Sequence, residues 1–454
     1  MQTNFKSKLK GLLSVAYTFN TNSAIEKVNS FKDMQKQPFV IHKSLFEYHV
    51  LLLFTLTHAE NPALVKIAEA ELQRLTNFIK KNANHALFAD SGLPYTTMLT
   101  RFTQDAFNDL AKNKQVHIEL ESLNNSAFDL NTFLNITMPH VLKEYTTAGM
   151  SNNDLLATLG VKAKHEFQFL LQVINNVNAP PLIKDLLWQS LQSFFYVKGL
   201  HKNYSKSYNR ILLQNYFYHH ELVKQFDHFE LINKKIPKAA SLSIIEKEKI
   251  AFVIRNSMPL AMREIDTITY LDINSLQVFH LERGLTLALY VAKPERQLPM
   301  QSFVGYSLFK NGYPVSYGGS WIFGECSLFG LNILEEFRGG ESKYIMTQIL
   351  RVYIRLYHIS YYEIETFQFG NHEALETGAF WFYYKYGFRS KNKGVNQLAE
   401  KEIEKIKANK NYKTSISTLE KLSEYNIALQ LKRYTPVHRE DILEKTNNLI
   451  ANKH

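Results

Sequence analysis

A chain of 454 residues is longer than one ordinary hydrophobic core organises, so two domains are expected, or three. Apolar residues at 45% and charged residues at 21% are those of a soluble globular protein, and a formal charge of +11 favours an anionic partner such as nucleic acid, a CoA or nucleotide ligand, or an anionic membrane surface. A single cysteine, Cys326, excludes an internal disulfide and a multi-cysteine metal site, and with no disulfide the simplest expectation is a cytoplasmic protein.

At the N-terminus, Lys6, Lys8 and Lys10 precede an apolar patch, 11–19, that Ser14 and Thr18 interrupt, so no signal-peptide core is expected. The longest apolar block, 50–56, falls far short of the ~20 residues that span a bilayer. Residues 1–240 read as a mostly helical domain of unknown role. Apolar residues recur at helical spacing over 45–58, 63–82, 130–145, 154–159, 165–177, 182–196 and 208–229. Breaks are expected at Asn61-Pro62, at 91–94, at Ala179-Pro180-Pro181 and at Ile236-Pro237. The segment 233–243 is the candidate linker, and a second domain is expected over 241–395. It starts with a helix over 244–262, followed by strands over 277–281 and 285–292. Beyond it, 396–454 reads as a helical extension, with helices over 397–407, 418–431 and 443–454.

The most informative stretch is 303–389. Two extended runs, 303–310 and 313–323, meet at Asn311-Gly312, a strong hairpin signal because both residues tolerate the positive φ of a type I′ turn. A third run, 326–334, leads into Glu335-Glu336-Phe337-Arg338-Gly339-Gly340-Glu341-Ser342. Ile345, Ile349, Val352 and Leu356 then mark one face of a helix. A further strand follows over 361–369, and Gly370-Asn371 opens a second helix that ends at Tyr386-Gly387-Phe388-Arg389.

This order resembles the GNAT acyltransferase superfamily, which moves acyl groups from acyl-CoA to amines. The resemblance is carried by the hairpin and long strand, by Arg338-Gly339-Gly340 at a helix N-terminus, by Asn371 and Ala374 opening the later helix, and by Tyr383-Tyr384-Lys385-Tyr386-Gly387-Phe388 closing it. It implies an α+β chain whose GNAT-like sheet, mixed but mainly antiparallel, is flanked by helices and preceded by the helical domain. It also implies acyl-CoA as co-substrate, with Asn332 and Leu334 along the pantetheine, Arg338, Gly339, Gly340, Glu341 and Ser342 around the phosphates, and Asn371 as a further cofactor-binding residue. Glu341 and Lys343 stand where the family's turn has small residues, and a carboxylate at 341 would repel a pyrophosphate unless it points away. Tyr383 is the implied acid for the leaving thiolate, with Tyr384 and Tyr386 as substitutes.

The residues alone point to the same place. A Gly-rich turn entering a helix offers free N–H groups and the positive end of the helix dipole to phosphate, and Arg338, Lys343 and Arg351 add positive charge. The plainer alternative is a simple chain reversal with Ser342 as helix cap. Glu373 and Glu336 are candidate bases for the attacking amine, with Glu335 and Asn332 as substitutes. Trp321 and Tyr317, beside Gly318-Gly319, are candidates to line an acceptor pocket, although a strand kink would account for the glycines equally. Tyr218-His219-His220-Glu221 lacks the spacing of a metal motif, so no metal is expected, and the chain has no P-loop. Three functions fit. The first is an N-acyltransferase acting on a small molecule, peptide or protein amine. The second is an aminoacyl-tRNA-dependent transferase on the same fold, favoured by the basic charge. The third is a non-catalytic interaction module.

Overall fold

The computed structural model describes residues 2–20, 22–124, 129–145, 149–213, 215–263, 266–297, 302–338, 340–409 and 411–431. Four helices open the chain: α1 (Gln2–Ala16), α2 (Ser23–Gln35), α3 (Ser44–Thr57) and α4 (Pro62–Lys81). α3 is apolar almost all round and is accordingly buried along its length. α4 starts where Asn61-Pro62 predicts a break: the Asn61 side chain accepts the Leu64 N–H, and Pro62 gives up no helical donor in the first turn.

The middle of the chain differs from the all-helical expectation. β1 (Thr97–Thr100), β2 (Val116–Leu123) and β3 (Ser193–Gly199) form an antiparallel sheet ordered β1-β3-β2. Around it lie α5 (Gln104–Lys112), α6 (Leu130–Thr137), α7 (Asn152–Thr158), α8 (Glu166–Asn176) and α9 (Pro181–Ser190). The helix expected over 182–196 therefore stops at Ser190. Ser193, Phe195, Val197 and Gly199 are buried while their neighbours are not, a period of two that a short aromatic run disguises. Residues 208–229 are not a helix either. The described residues among them form an irregular strap whose amides bond distant carbonyls, Ile211 to Gly312 and His219 to Ala59. Helix α10 (His228–Asn233) begins only at its end.

Helices α11 (Ile244–Leu260) and α12 (Asp266–Thr269) precede the larger sheet. Its strands are β4 (Gln277–His280), β5 (Leu285–Val291), β6 (Ser302–Lys310), β7 (Tyr313–Phe323), β8 (Cys326–Ile333), β9 (Tyr361–Ile364), β10 (Arg389–Ser390) and β11 (Ile427–Gln430), in the order β10-β11-β9-β8-β7-β6-β5-β4. Neighbours are antiparallel except β8 and β9, which α13 (Ser342–Tyr357) joins by a parallel crossover. α14 (Phe367–Gly370), α15 (His372–Thr377) and α16 (Ala379–Tyr386) lie between β9 and β10, and α17 (Lys393–Ala408) and α18 (Ile416–Leu422) between β10 and β11. The helix expected over 418–431 thus ends early, and its last residues become β11, inserted between β9 and β10. Expectations for 432–454 fall outside the described residues.

Two hydrophobic clusters run through the molecule. One joins α1–α4 to a face of the large sheet and to α13 and α16, from Phe5 to Leu429. The other joins the three-stranded sheet and α5, α6, α8 and α11 to the opposite face of β4, β5 and β6, through Val278, Ala288, Tyr290 and Phe309. Neither core divides at residue 240. The linker expected over 233–243 is pinned as well: Arg351 and Arg355 donate to carbonyls at 233–235, and Ala240 N–H bonds the β4 carbonyl of Val278.

The β6–β7 turn forms as its sequence predicts, with φ of 45° at Asn311 and 85° at Gly312. The Asn311 side chain also donates to the carbonyls of Thr57 and Phe217 and accepts the Phe217 N–H, tying α3 and the strap to the sheet. Replacing Asn311 by Ala orphans these buried groups and should cost about 2–4 kcal/mol in urea unfolding. A loss below about 0.5 kcal/mol would contradict this tie.

Candidate functional site

β9 pairs with β8 at only three positions, Cys326 to Leu328, while β8 continues to Ile333. The Leu334 N–H bonds the Val315 carbonyl of the β7 side, and alternate residues of an antiparallel ladder point alike. The amides of Leu331 and Ile333 therefore face the gap that β9 leaves. Arg338 Nε reaches back 3.0 Å to the Ile333 carbonyl, which faces the same gap. Gly330 lies at its inner end, where the Gln368 amide would stand 3.7 Å from an added Cβ. The Tyr306 hydroxyl donates to the Gly330 carbonyl at 3.3 Å. Gly318 must be bare for this, since a Cβ there would fall 2.8 Å from that hydroxyl.

The turn after β8 starts α13 beside the gap. Its N-cap residue is Glu341, not Ser342, and no side chain caps the first-turn amides. Gly340 is exposed at φ 103°, and Gly339 lies outside the described residues. Glu341, expected at the phosphates, turns the other way and is 2% exposed. Its carboxylate accepts from Lys310, from His58 Nε2 at 3.2 Å, from Arg283 at 3.3 Å and from the Val223 N–H at 3.0 Å. Burial alone would push the Glu341 carboxyl up, but the hydrogen bond from His58 and the Lys310 ammonium hold it far below the usual range. Burial likewise brings Lys310 down to about 8 against the pull of Glu341.

The other expected residues divide between the gap and the frame. Asn332 and Leu334 lie half-buried along β8. Arg338, 42% exposed, meets Glu373 across the mouth at 2.7 Å, and Arg263, at the end of α11, meets the same carboxylate at 3.5 Å. Glu373 is thereby held below its ordinary value, by Arg338 first, and is tied up as a base. Glu336 is buried against Lys206 at 3.2 Å. Burial pushes it up, but Lys206 outweighs this and keeps it ionised, facing α3 rather than the gap. Asn371 caps α15, accepting the Ala374 N–H, a framing role. Arg351, expected to add charge at the turn, is buried instead against Glu282 and the carbonyls of Lys234 and Lys235. Trp321 packs on Phe303 at 4.9 Å.

Tyr383 is 3% exposed in α16, among Phe369, Phe382 and Phe388. Burial first, and the Tyr383 phenol to a lesser degree, raise the Tyr306 phenol. Burial raises the Tyr383 phenol itself, so it stays protonated, as a proton donor requires and a base does not. Sequence reading missed Tyr306, Gln368, Arg263 and the partners of Glu341; only the glycines of β7 hinted at a close approach.

His219 of the Tyr-His-His-Glu run is fully buried beside His58, with its Nε2 unpartnered. Among the described residues no group of His, Cys, Asp or Glu is placed to hold a metal ion, and no helix is long and apolar enough to cross a membrane. A cleft of about 1600 Å³ runs along α11 and the edge strand β4, four strands from β8 in the sheet order. It is not the gap. Comparison with family models, curated proteins and solved structures finds no match for the chain.

Three buried histidines make a pH prediction. Burial first, and for His58 and His219 then the Lys310 ammonium, pull His49 and His58 down to about 4 and His219 to about 2. Unfolded, each titrates near ~6.5. As pH falls below that, the unfolded chain binds protons that the folded one refuses, so stability drops by up to about 1.4 kcal/mol per pH unit per histidine. The window is pH 6.5 to 4, with His219 continuing lower; Glu341, depressed rather than raised, removes stability further still towards acid. Urea unfolding from pH 7.5 to 4.5 should show this slope, and His219→Phe should reduce it by about one histidine's share. A flat profile would contradict the burial of these rings. In the same assay Glu341→Gln, which strands Lys310, should cost about 3 kcal/mol at pH 7.

Proposed function

We propose that the chain is an acyltransferase that moves an acyl group from acyl-CoA to an amine by direct attack. The observation that carries this reading is the gap. β8 offers the unpaired amides of Leu331 and Ile333 to an extended donor arm, and the uncapped start of α13 stands at the end of that edge. An extended pantetheine can pair with such an edge as a further strand would, leaving its phosphates at the helix N-terminus, where N–H groups and the dipole favour negative charge. The order of hairpin, long strand, turn, helix, parallel strand and helix supports the resemblance noted in the sequence.

In this reading the amine nitrogen attacks the thioester carbonyl, a C–N bond forms and the C–S bond breaks. Tyr383 supplies the proton that the departing thiolate takes up. Glu336 and Glu373 are both held by cations, so the amine enters unprotonated, its proton leaves to water at the mouth, and the Tyr383 phenolate regains a proton from water before the next turnover. Arg338 and Arg263 share one half-exposed carboxylate, a weak surface arrangement that a pyrophosphate can displace. Glu341 does not oppose this, because its charge is neutralised inside the protein.

Thermal unfolding with a panel of acyl-CoAs tests the proposal. A donor at 100 times its dissociation constant should add about 2.7 kcal/mol of stability. Arg338→Ala should weaken that donor about tenfold, and Tyr383→Phe should lower turnover about 100-fold with little change in donor affinity. No stabilisation by any chain length, together with an unimpaired Tyr383→Phe, would overturn it.

A further inference from the structure

A second concave site lies at the C-terminal end of α4, in a part of the chain that the acyl-transfer reading does not use. Where α4 ends, the following turn and the end of β3 line an open hollow of about 490 Å³. Lys80, Lys81, His85, Tyr95 and Lys198 line it, and no residue lining it is acidic. None of the three lysines has a carboxylate within ion-pair distance among the described residues. Lys202, a neighbour in the chain, bonds only the neutral Gln73 amide, at 2.9 Å. The next cations along are different: Lys206 and Arg210 are neutralised by Glu336 and Glu69.

The plain account of Lys80 and Lys81 is that they complement the negative end of the α4 dipole. It does not reach Lys198, which comes from a strand of another sheet and lines the same hollow. Two further observations mark the place as built. Tyr95 is held at φ 67°, a left-handed conformation that a bulky side chain adopts only when its surroundings impose it. β3 holds this turn directly, since the Gly199 N–H bonds the Thr96 carbonyl at 3.1 Å. The Tyr95 ring lies under Lys80, whose ammonium is 5.1 Å from its centroid. His85 accepts the Leu87 N–H on Nδ1, which leaves Nε2 as its hydrogen-bond donor.

We propose that this hollow binds a phosphate ester of nucleotide size, either free or as one unit of a single-stranded nucleic acid. Three ammonium groups and an imidazole donor around one basin match the charge and the acceptor oxygens of a phosphate. The basin is much larger than a lone phosphate and leaves room for the sugar and base. The net charge of +11 would steer such a ligand toward the protein, and in this hollow three lysines converge with no acidic residue in the lining.

The test uses the full chain with two probes, AMP by calorimetry and a fluorescein-labelled 12-nucleotide single-stranded RNA by anisotropy, each at several salt concentrations. Lys81→Gln combined with Lys198→Gln should weaken binding at least tenfold and leave the melting temperature within about 1 °C. Lys401→Gln combined with Lys421→Gln, which removes the same charge elsewhere, should change affinity less than twofold. If the strand is the ligand, the slope of log affinity against log salt should be about −2 for three neutralised phosphates and shallower by about 1.4 in the hollow variant. Binding of AMP assigns the site to a single nucleotide; binding of RNA alone assigns it to a strand. Failure of both probes to bind, or equal losses in the two double variants, would overturn the proposal. It would do so without touching the acyl-CoA experiment, which reads a different site.

Discussion

The buried ion cluster around Glu341 is the constraint on which the rest of the site depends. Glu341 and Lys310 are each 2% exposed, and His58 and Arg283 complete the cluster. Buried pairs of this kind seldom add net stability, because desolvating the two charges costs about as much as their attraction returns. Their effect is on specificity. Any packing of α3, the strap or the β5–β6 strands that moved one partner would leave a charge buried alone, at a cost of about 3–5 kcal/mol. The start of α13 is therefore fixed in rotation, with the Glu341 carboxylate pointing inward and the first-turn amides left without a side-chain cap.

Around that point the two cores do different work. The first presses α13 and α1–α4 onto one face of the large sheet, so the N-terminal helices are part of the frame of the site and not a separate appendage. The second presses the three-stranded unit and α11 onto the opposite face, and the end of α11 brings Arg263 to the mouth of the gap. β9 ends after Ile364, and the chain turns at once into α14 and α15. This early ending leaves the later residues of β8 without a β9 partner.

How much could be read beforehand depended on how local the chemistry was. Asn311-Gly312 dictates its own turn, Ile345 to Leu356 repeat at helical spacing, and Asn371 announces α15 by capping it. The place of Tyr383 before Gly387 made it a candidate, and the structure buries it in α16. The orientation of Glu341 could not be found that way, because its partners lie 31, 58, 118 and 283 residues distant. β3 and β11 were hidden for a different reason: each is a short strand right after a helix, and a few apolar residues there satisfy either period. Glu336 and Glu373 looked like candidate bases by position, but Lys206, Arg338 and Arg263, which come from other parts of the chain, take them up.

Residue-resolved hydrogen exchange at the amides of Leu331, Ile333, Ser342 and Lys343 addresses the central claim most directly. In the protein alone these four should exchange fast, while Gly330 and Asn332, bonded toward β7, exchange slowly. Addition of a bound acyl-CoA should protect the four and leave the other two as they were. Slow exchange at Leu331 and Ile333 without ligand would mean that the edge of β8 is already closed, and the site described here would not exist.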